Sequence, residues 1–274
     1  KSKKFGTWVY PDLRLELTDK NYLDLKKYCK KLKIDFIVTP WDETSANSLM
    51  KIGVDYLKIA SIDANNFHFC EFIAKKKHPT IISTGMLTYK EIVKTQSIFK
   101  KHNTAHIFLH CTSAYPSDEK DKNLNCIPKL RSLLNEDVGF SGHGIGIAGA
   151  TGATALGAKV FEKHVTLNKK SVGPDHFFAM EPSEFKGYIT KIKEAHKCLG
   201  TSKKNLLKQE RLNSRRKGLY FSKNLKKGKI FKDKDYFEKS PPIGLTTIYL
   251  ESILNRRLKK DIKKNEKIFK KLFY

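Results

Sequence analysis

The chain has 274 residues, 39% hydrophobic and 30% charged, and its 54 Lys and Arg against 28 Asp and Glu give a formal net charge of +26. That length suffices for one large core, or for a barrel with a small second module, and no run of about eighteen apolar residues and no signal-peptide core marks a membrane partner, since Lys1-Ser2-Lys3-Lys4 leads into a mixed segment. Five scattered cysteines, Cys29, Cys70, Cys111, Cys126 and Cys198, lack any C-x-x-C spacing, which argues against a disulfide framework or zinc ribbon and places the protein in the reduced cytoplasm.

The first predicted element is a helix carrying Tyr22, Leu25, Cys29 and Leu32 at helical spacing. Six apolar runs follow at intervals of about one βα unit. They are Phe36-Ile37-Val38-Thr39, Tyr56-Leu57-Lys58-Ile59-Ala60-Ser61, Thr80-Ile81-Ile82-Ser83-Thr84, Ile107-Phe108-Leu109-His110-Cys111-Thr112-Ser113, Val138-Gly139-Phe140-Ser141 and Val160-Phe161-Glu162-Lys163-His164. Each ends in a hydroxyl, amine or imidazole. Buried parallel strands read as continuous apolar runs, so polar groups confined to their C-terminal ends predict an α/β barrel with its chemistry on that face.

Helical patterns fill the intervals. Thr88-Tyr89-Lys90-Glu91 is a capping box ahead of Ile92, Ile98 and Phe99. Leu124, Ile127, Leu130 and Leu134 mark another helix, and Phe185, Ile189, Ile192 and Leu199 a long one that stops at Gly200. The alternation demands right-handed crossovers and a parallel sheet. Six strands are two short of a closed (β/α)8 barrel, and the chain opens on a helix, so the expectation is a TIM barrel over 1–200 lacking its first two βα units, by truncation rather than by an incomplete fold. Residues 201–217 are polar and basic and read as a linker; 218–274, with Gly218-Leu219-Tyr220-Phe221, turns at Lys227-Gly228 and Asn265-Glu266, and a Pro241-Pro242-Ile243-Gly244 loop, read as a small β-rich domain.

The charge raises nucleic acid as a partner. Only seven of the 54 basic residues are arginine, and the lysines fall on every predicted helix rather than in one stripe, so general lysine enrichment is the preferred explanation.

The residues at the run ends suggest two kinds of chemistry. His143 and His164 close consecutive runs, so their imidazoles converge if the strand order is sequential, and two histidines completed by water and substrate oxygens suit Mn²⁺ better than structural zinc. The alternative is that each is a hydrogen-bonded cap or core histidine. The other theme is anion binding: Lys58 needs an anionic partner inside its apolar run, Ser61, Ser83, Thr84 and Ser113 offer hydroxyl donors, and the Gly/Ala-rich 144–150 opens a helix N-terminus. The opposite facing of neighbours on a strand argues against a His110-Cys111 nucleophilic pair, and Gly146 and its neighbours do not make a dinucleotide fingerprint.

The strings Lys58-Ile59-Ala60-Ser61 with Asn65-Asn66, Ile82-Ser83-Thr84-Gly85-Met86, His110-Cys111-Thr112-Ser113-Ala114-Tyr115-Pro116, Gly139-Phe140-Ser141-Gly142-His143, Glu162-Lys163-His164 and Gly173-Pro174-Asp175-His176 resemble, in order, those of the sialic acid (N-acetylneuraminate) synthase family. The final segment, with Leu219, Asn224-Leu225-Lys226-Lys227-Gly228 and Asp261-Ile262, is similar to the antifreeze-like SAF (β-clip) domain of those enzymes. The resemblance implies condensation of phosphoenolpyruvate with an N-acetylmannosamine-type sugar, or its 6-phosphate, to a nonulosonate and phosphate. It implies that Thr39, Lys58, Ser61, Ser83, Ser113 and Ser141 cradle phosphoenolpyruvate, that Tyr115 and Asp175 face the sugar and its developing alkoxide as catalytic residues, and that His143 and His164 hold a divalent metal, Mn²⁺ with Mg²⁺ or Co²⁺ as alternatives. It further implies a domain-swapped homodimer.

The chain also departs from the family pattern. The family's acidic Ala-Glu-Ile-Gly motif and its second phosphoenolpyruvate lysine have no counterpart here, residue 142 is Gly where many bacterial members carry Asp, and Ser240 stands where bacterial members place a sugar-contacting arginine. A legionaminate- or pseudaminate-type synthase, or a non-catalytic phosphoenolpyruvate- or polyanion-binding remnant, are the other expectations.

Overall fold

The computed structural model describes residues 17–212 and 215–274. The Lys1-Ser2-Lys3-Lys4 start and two positions of the expected linker, 213 and 214, lie outside the described residues. The chain divides into two compact units, 1–200 and 201–274.

The first unit alternates helix and strand. In order it runs α1 (Asp19–Leu32), β1 (Ile37–Val38), α2 (Glu43–Ile52), β2 (Tyr56–Ile59), α3 (Phe67–Lys75), β3 (Thr80–Ser83), α4 (Tyr89–Lys101), β4 (His106–Cys111), α5 (Cys126–Leu134), β5 (Val138–Gly142), α6 (Ala148–Ala155), β6 (Phe161–Lys163) and α7 (Pro182–Leu199). All six apolar runs contain strands, and these form one parallel sheet in the order β1-β2-β3-β4-β5-β6, the strand arrangement of a (β/α) barrel. Among the described residues β1 pairs only with β2 and β6 only with β5.

Local chemistry sets the helix boundaries. Thr88 accepts from the Glu91 amide while the Glu91 carboxylate accepts from the Thr88 amide, the reciprocal cap that the sequence predicts. Pro182 opens α7 where its missing N–H costs nothing, and Gly200 closes it. Between helices and sheet, Leu57, Ile59, Ile73, Ile82, Phe99 and Phe108 are almost wholly removed from water in the main core. A satellite core gathers Ile127, Phe140, Ala153 and Ala158.

The second unit begins inside the expected linker, where α8 (Lys208–Leu212) interrupts the irregular backbone and the Glu210 carboxylate accepts from the Leu207 amide at its start. It continues with the antiparallel pair β7 (Gly218–Phe221) and β8 (Tyr236–Lys239) and isolated bridges such as Leu225 with Ile262. Phe221, Phe231, Ile253, Leu258 and Ile268 form its own core. The Ser240 hydroxyl lies within donating distance of the Arg215 and Arg216 carbonyls, at 3.0 and 2.9 Å, and has one proton for the two.

Candidate active site

The strand register lines up the polar ends. Ser141 pairs with Glu162 and Gly142 with Lys163 across β5 and β6, so His143 and His164 follow side by side. Their rings stand 5.4 Å apart and nearly perpendicular. The sequential strand order on which their convergence depended is present.

A cavity of about 960 Å³ opens over the C-terminal ends of the strands, lined by Thr39, Trp41, Lys58, Ala60, Ser61, Ser83, Ser113, Ala114, Tyr115, His143, Glu162, His164, Pro174 and Asp175. Nine of the ten residues that the family resemblance assigns to the site are in that lining. The tenth, Ser141, is buried beside it, donating to Glu162 Oε1 at 2.7 Å and lying 3.3 Å from His143 Nε2. Thr84, the further hydroxyl candidate, is outside the lining and donates to the Leu109 carbonyl at 3.0 Å.

Lys58 forms the polar end of the cavity. Its ammonium donates to Ser83 Oγ at 2.6 Å and to the Ile59 carbonyl at 3.2 Å, and Glu162 Oε2 lies 3.6 Å away. Burial lowers the Lys58 pKa from its ordinary 10.5, and the Glu162 carboxylate opposes that shift. The anionic partner that an apolar run demands is therefore Glu162. Ser61 Oγ accepts from the Gly85 amide at 2.9 Å and lies 3.2 Å from Cys111 Sγ. A side chain at residue 85 would force its neighbours to shift, because a Cβ would fall 2.1 Å from Ser113 Oγ and 2.9 Å from both Ser61 Oγ and Cys111 Sγ.

The two histidines form the other end. His143 Nδ1 lies 2.7 Å from the Thr112 carbonyl, which only accepts, so Nδ1 carries the proton and Nε2 keeps its lone pair. His164 Nδ1 lies 3.5 Å from Asp175 Oδ2. Burial is the main force lowering both imidazole pKa values below 6.5, which keeps them neutral and able to ligate. A second ring nitrogen turned to a carbonyl or carboxylate is the arrangement metal-ligating histidines have. Among the described residues no three His, Cys, Asp or Glu side chains gather into a metal-binding group. These two donors fit a divalent ion whose other positions are filled by water or substrate oxygens. Tyr115 packs over both rings, 4.3 Å from His143 and 5.8 Å from His164, and burial raises its phenol pKa above 10.

Two expectations fare differently. Residues 144–150 do not line this cavity: α6 begins only at Ala148, and Ile145, Gly146 and Ile147 border a separate hollow with Lys169, Met180 and Tyr188. His110 and Cys111 diverge as strand neighbours must, His110 Nε2 facing the Lys122 carbonyl while Cys111 meets Ser61. Sequence reasoning passed over Glu162, although its position two residues before His164 places both on one strand face. Trp41, exposed at the rim, carried no sequence signal of its own.

A model of the NeuB family matches residues 10–204 and a SAF domain model matches residues 216–273. An N,N'-diacetyllegionaminic acid synthase from Campylobacter jejuni is 35% identical over 260 residues, covering 93% of this chain and 78% of the relative. The N-acetylneuraminate-9-phosphate synthase of Homo sapiens is 37% identical over 194 residues, covering 70% of this chain and 54% of the relative. Among solved structures, an N-acetylneuraminic acid (sialic acid) synthetase from Leptospira borgpetersenii shares 37% identity at a TM-score of 0.69, covering 72% of this chain and 70% of that one.

Proposed function

The chain belongs to the NeuB family, and on that premise we propose that it is a phosphoenolpyruvate-dependent nonulosonate synthase acting on an N-acetylmannosamine-type sugar or its 6-phosphate. The observation that carries this reading is one cavity with an ammonium and hydroxyl cluster at one end and two neutral imidazoles at the other. Phosphate and carboxylate need charge-assisted donors, and a carbonyl electrophile needs polarisation.

In this reading Lys58, with Ser61, Ser83, Ser113, Ser141 and Thr39 around it, binds the anionic groups of phosphoenolpyruvate and fixes its methylene carbon toward the sugar aldehyde. His143 and His164 hold a divalent ion, Mn²⁺ being the first to try, which when bound supplies Lewis-acid polarisation of the aldehyde. The new carbon–carbon bond joins the methylene to the aldehyde carbon. Asp175 and Tyr115, in the cavity lining beside the two imidazoles, face the sugar and the resulting alkoxide in this reading. The electrons of the enol C=C form the new carbon–carbon bond and leave C2 electron-poor, so water adds to C2. The C2–O bond to phosphate then breaks, phosphate leaves with the electron pair, C2 becomes the ketone, and the two protons of the water go to the alkoxide and the phosphate. The walls of the cavity hold the two substrates at reacting distance, which removes much of the entropy cost of a two-substrate step.

A legionaminate-type product is the second reading, favoured by the relative that covers 93% of this chain. The test is phosphate release from phosphoenolpyruvate, with and without Mn²⁺, against N-acetylmannosamine, its 6-phosphate and a diacetamido sugar. Sugar- and metal-dependent release with one of the three identifies the substrate class; release with none overturns the proposal.

A further inference from the structure

Glu162 occupies two of the donors that this reading assigns to an anionic substrate. Its Oε1 accepts the Ser141 hydroxyl at 2.7 Å, and its Oε2 faces the Lys58 ammonium at 3.6 Å. A hydroxyl has one proton, so Ser141 cannot donate to Glu162 and to a bound phosphate or carboxylate at once. Lys58 has three N–H groups, two of them committed to Ser83 Oγ and the Ile59 carbonyl, which leaves one direction for an anion. Glu162 Oε2, 3.6 Å away, is the carboxylate oxygen that faces this ammonium.

The two members of the ion pair are unequally placed. The Lys58 side chain is 10% exposed, whereas the Glu162 side chain is 40% exposed and lines the cavity. The carboxylate can therefore turn toward water at small desolvation cost, and the ammonium cannot. An unpaired buried ammonium is expensive, and Lys58 already has its pKa lowered by burial. Those conditions suit a charge that holds an anion site together when empty and withdraws when the site fills.

We propose that Glu162 is a positioning residue that stands in for the substrate's anionic group at Lys58 and Ser141 and surrenders both donors to phosphoenolpyruvate on binding. The inference rests on the proposed role of Lys58 in phosphoenolpyruvate binding. It assigns Glu162 a competitive part: the carboxylate opposes anion binding while stabilising the empty site. A residue that merely helped to build the pocket would lower affinity when removed.

The experiment is calorimetric titration of inorganic phosphate and of phosphoenolpyruvate into the full chain at pH 7, with thermal melting of the same samples. Glu162→Gln keeps an acceptor for Ser141 and removes the charge. The expected result is about ten-fold tighter binding of both ligands, the size of one screened charge interaction, and a lower melting temperature for the free protein that phosphate restores. Unchanged or weaker binding by E162Q, while Lys58→Ala loses binding, overturns the inference and leaves the function standing. Equal binding by wild type and Lys58→Ala overturns the role of Lys58 and the inference with it. Should E162Q fail to fold, Glu162→Asp, which draws the charge back by one methylene, is expected to tighten phosphate binding to a smaller degree; weaker binding by that variant overturns the inference.

Discussion

The Tyr115 ring lies 4.3 Å from the His143 ring, tilted by 37°, and reaches His164 at 5.8 Å, so one aromatic side chain braces both imidazoles. Replacing it tests how far ring packing holds the pair in place. Tyr115→Ala is expected to weaken Mn²⁺ binding by about ten-fold, in the range for loss of a ligand's supporting partner. Tyr115→Phe keeps the packing and should leave metal affinity unchanged. Calorimetry on the two variants distinguishes the brace from the phenol.

His164→Ala is expected to abolish Mn²⁺ binding while the far-ultraviolet circular dichroism and melting of the barrel unit stay near wild type. The side chain sits at the end of a three-residue strand rather than in the core. Retained Mn²⁺ affinity would remove it from the ligand set.

Acid pH gives a second handle on the histidines. Burial holds both imidazoles below the ordinary 6.5, so more than half of each is neutral at pH 6.5 and the acid limb of metal binding should lie below that value. Stability follows the same sign. The unfolded chain takes up these protons first, so the contribution is complete above about pH 6.5 and is lost as pH falls toward the folded values. An acid limb centred above 6.5 contradicts the assignment.

At alkaline pH the controlling group is Lys58. Its pKa is lowered from 10.5 by burial, so phosphoenolpyruvate affinity should begin to fall before pH 10.5 is reached. Lys58→Ala should bind weakly with no such dependence, and should lose far less metal affinity than phosphoenolpyruvate affinity. Equal losses of both ligands would show that the ammonium does not bind the anion.

Gly85→Ala forces a methyl group against Ser113, Ser61 and Cys111. The expected cost is about 1–3 kcal/mol of stability, as for other overpacked sites, with a large rise in the Kd for phosphoenolpyruvate. Unchanged binding would mean that the hydroxyl cluster is not part of the anion site.

Much of this site is legible in the sequence because strand ends in a parallel sheet share one face. The six apolar runs correspond to six strands, and four of the six polar residues that close them, Thr39, Ser61, Ser113 and His164, arrive at the same cavity, while Ser141 is buried beside it and Thr84 turns to the Leu109 carbonyl. Glu162 was less visible. A carboxylate next to a lysine in Glu162-Lys163-His164 reads as a local charge pair, and only the parity it shares with His164 shows that it turns inward. The Gly/Ala-rich 144–150 misled for a related reason. Small residues at a helix start suit an anion, but the chain places that start beside a different hollow. Gly85 shows the limit of reading glycine in sequence, because its need comes from three side chains on two other strands and their following turns.

The pairing of β5 with β6 rests on a strand of only three residues. Side chains alternate, so a slip of one residue would rotate Glu162 and His164 away from the cavity and bring in Lys163, whose pKa burial and the neighbouring Lys122 and Lys169 hold at about 8. One step along the backbone would thus exchange a carboxylate and a metal-competent imidazole for a cation, reversing the sign of the wall that faces Lys58. The chemical identity of the pocket is written in a hydrogen-bond count as much as in a list of residues.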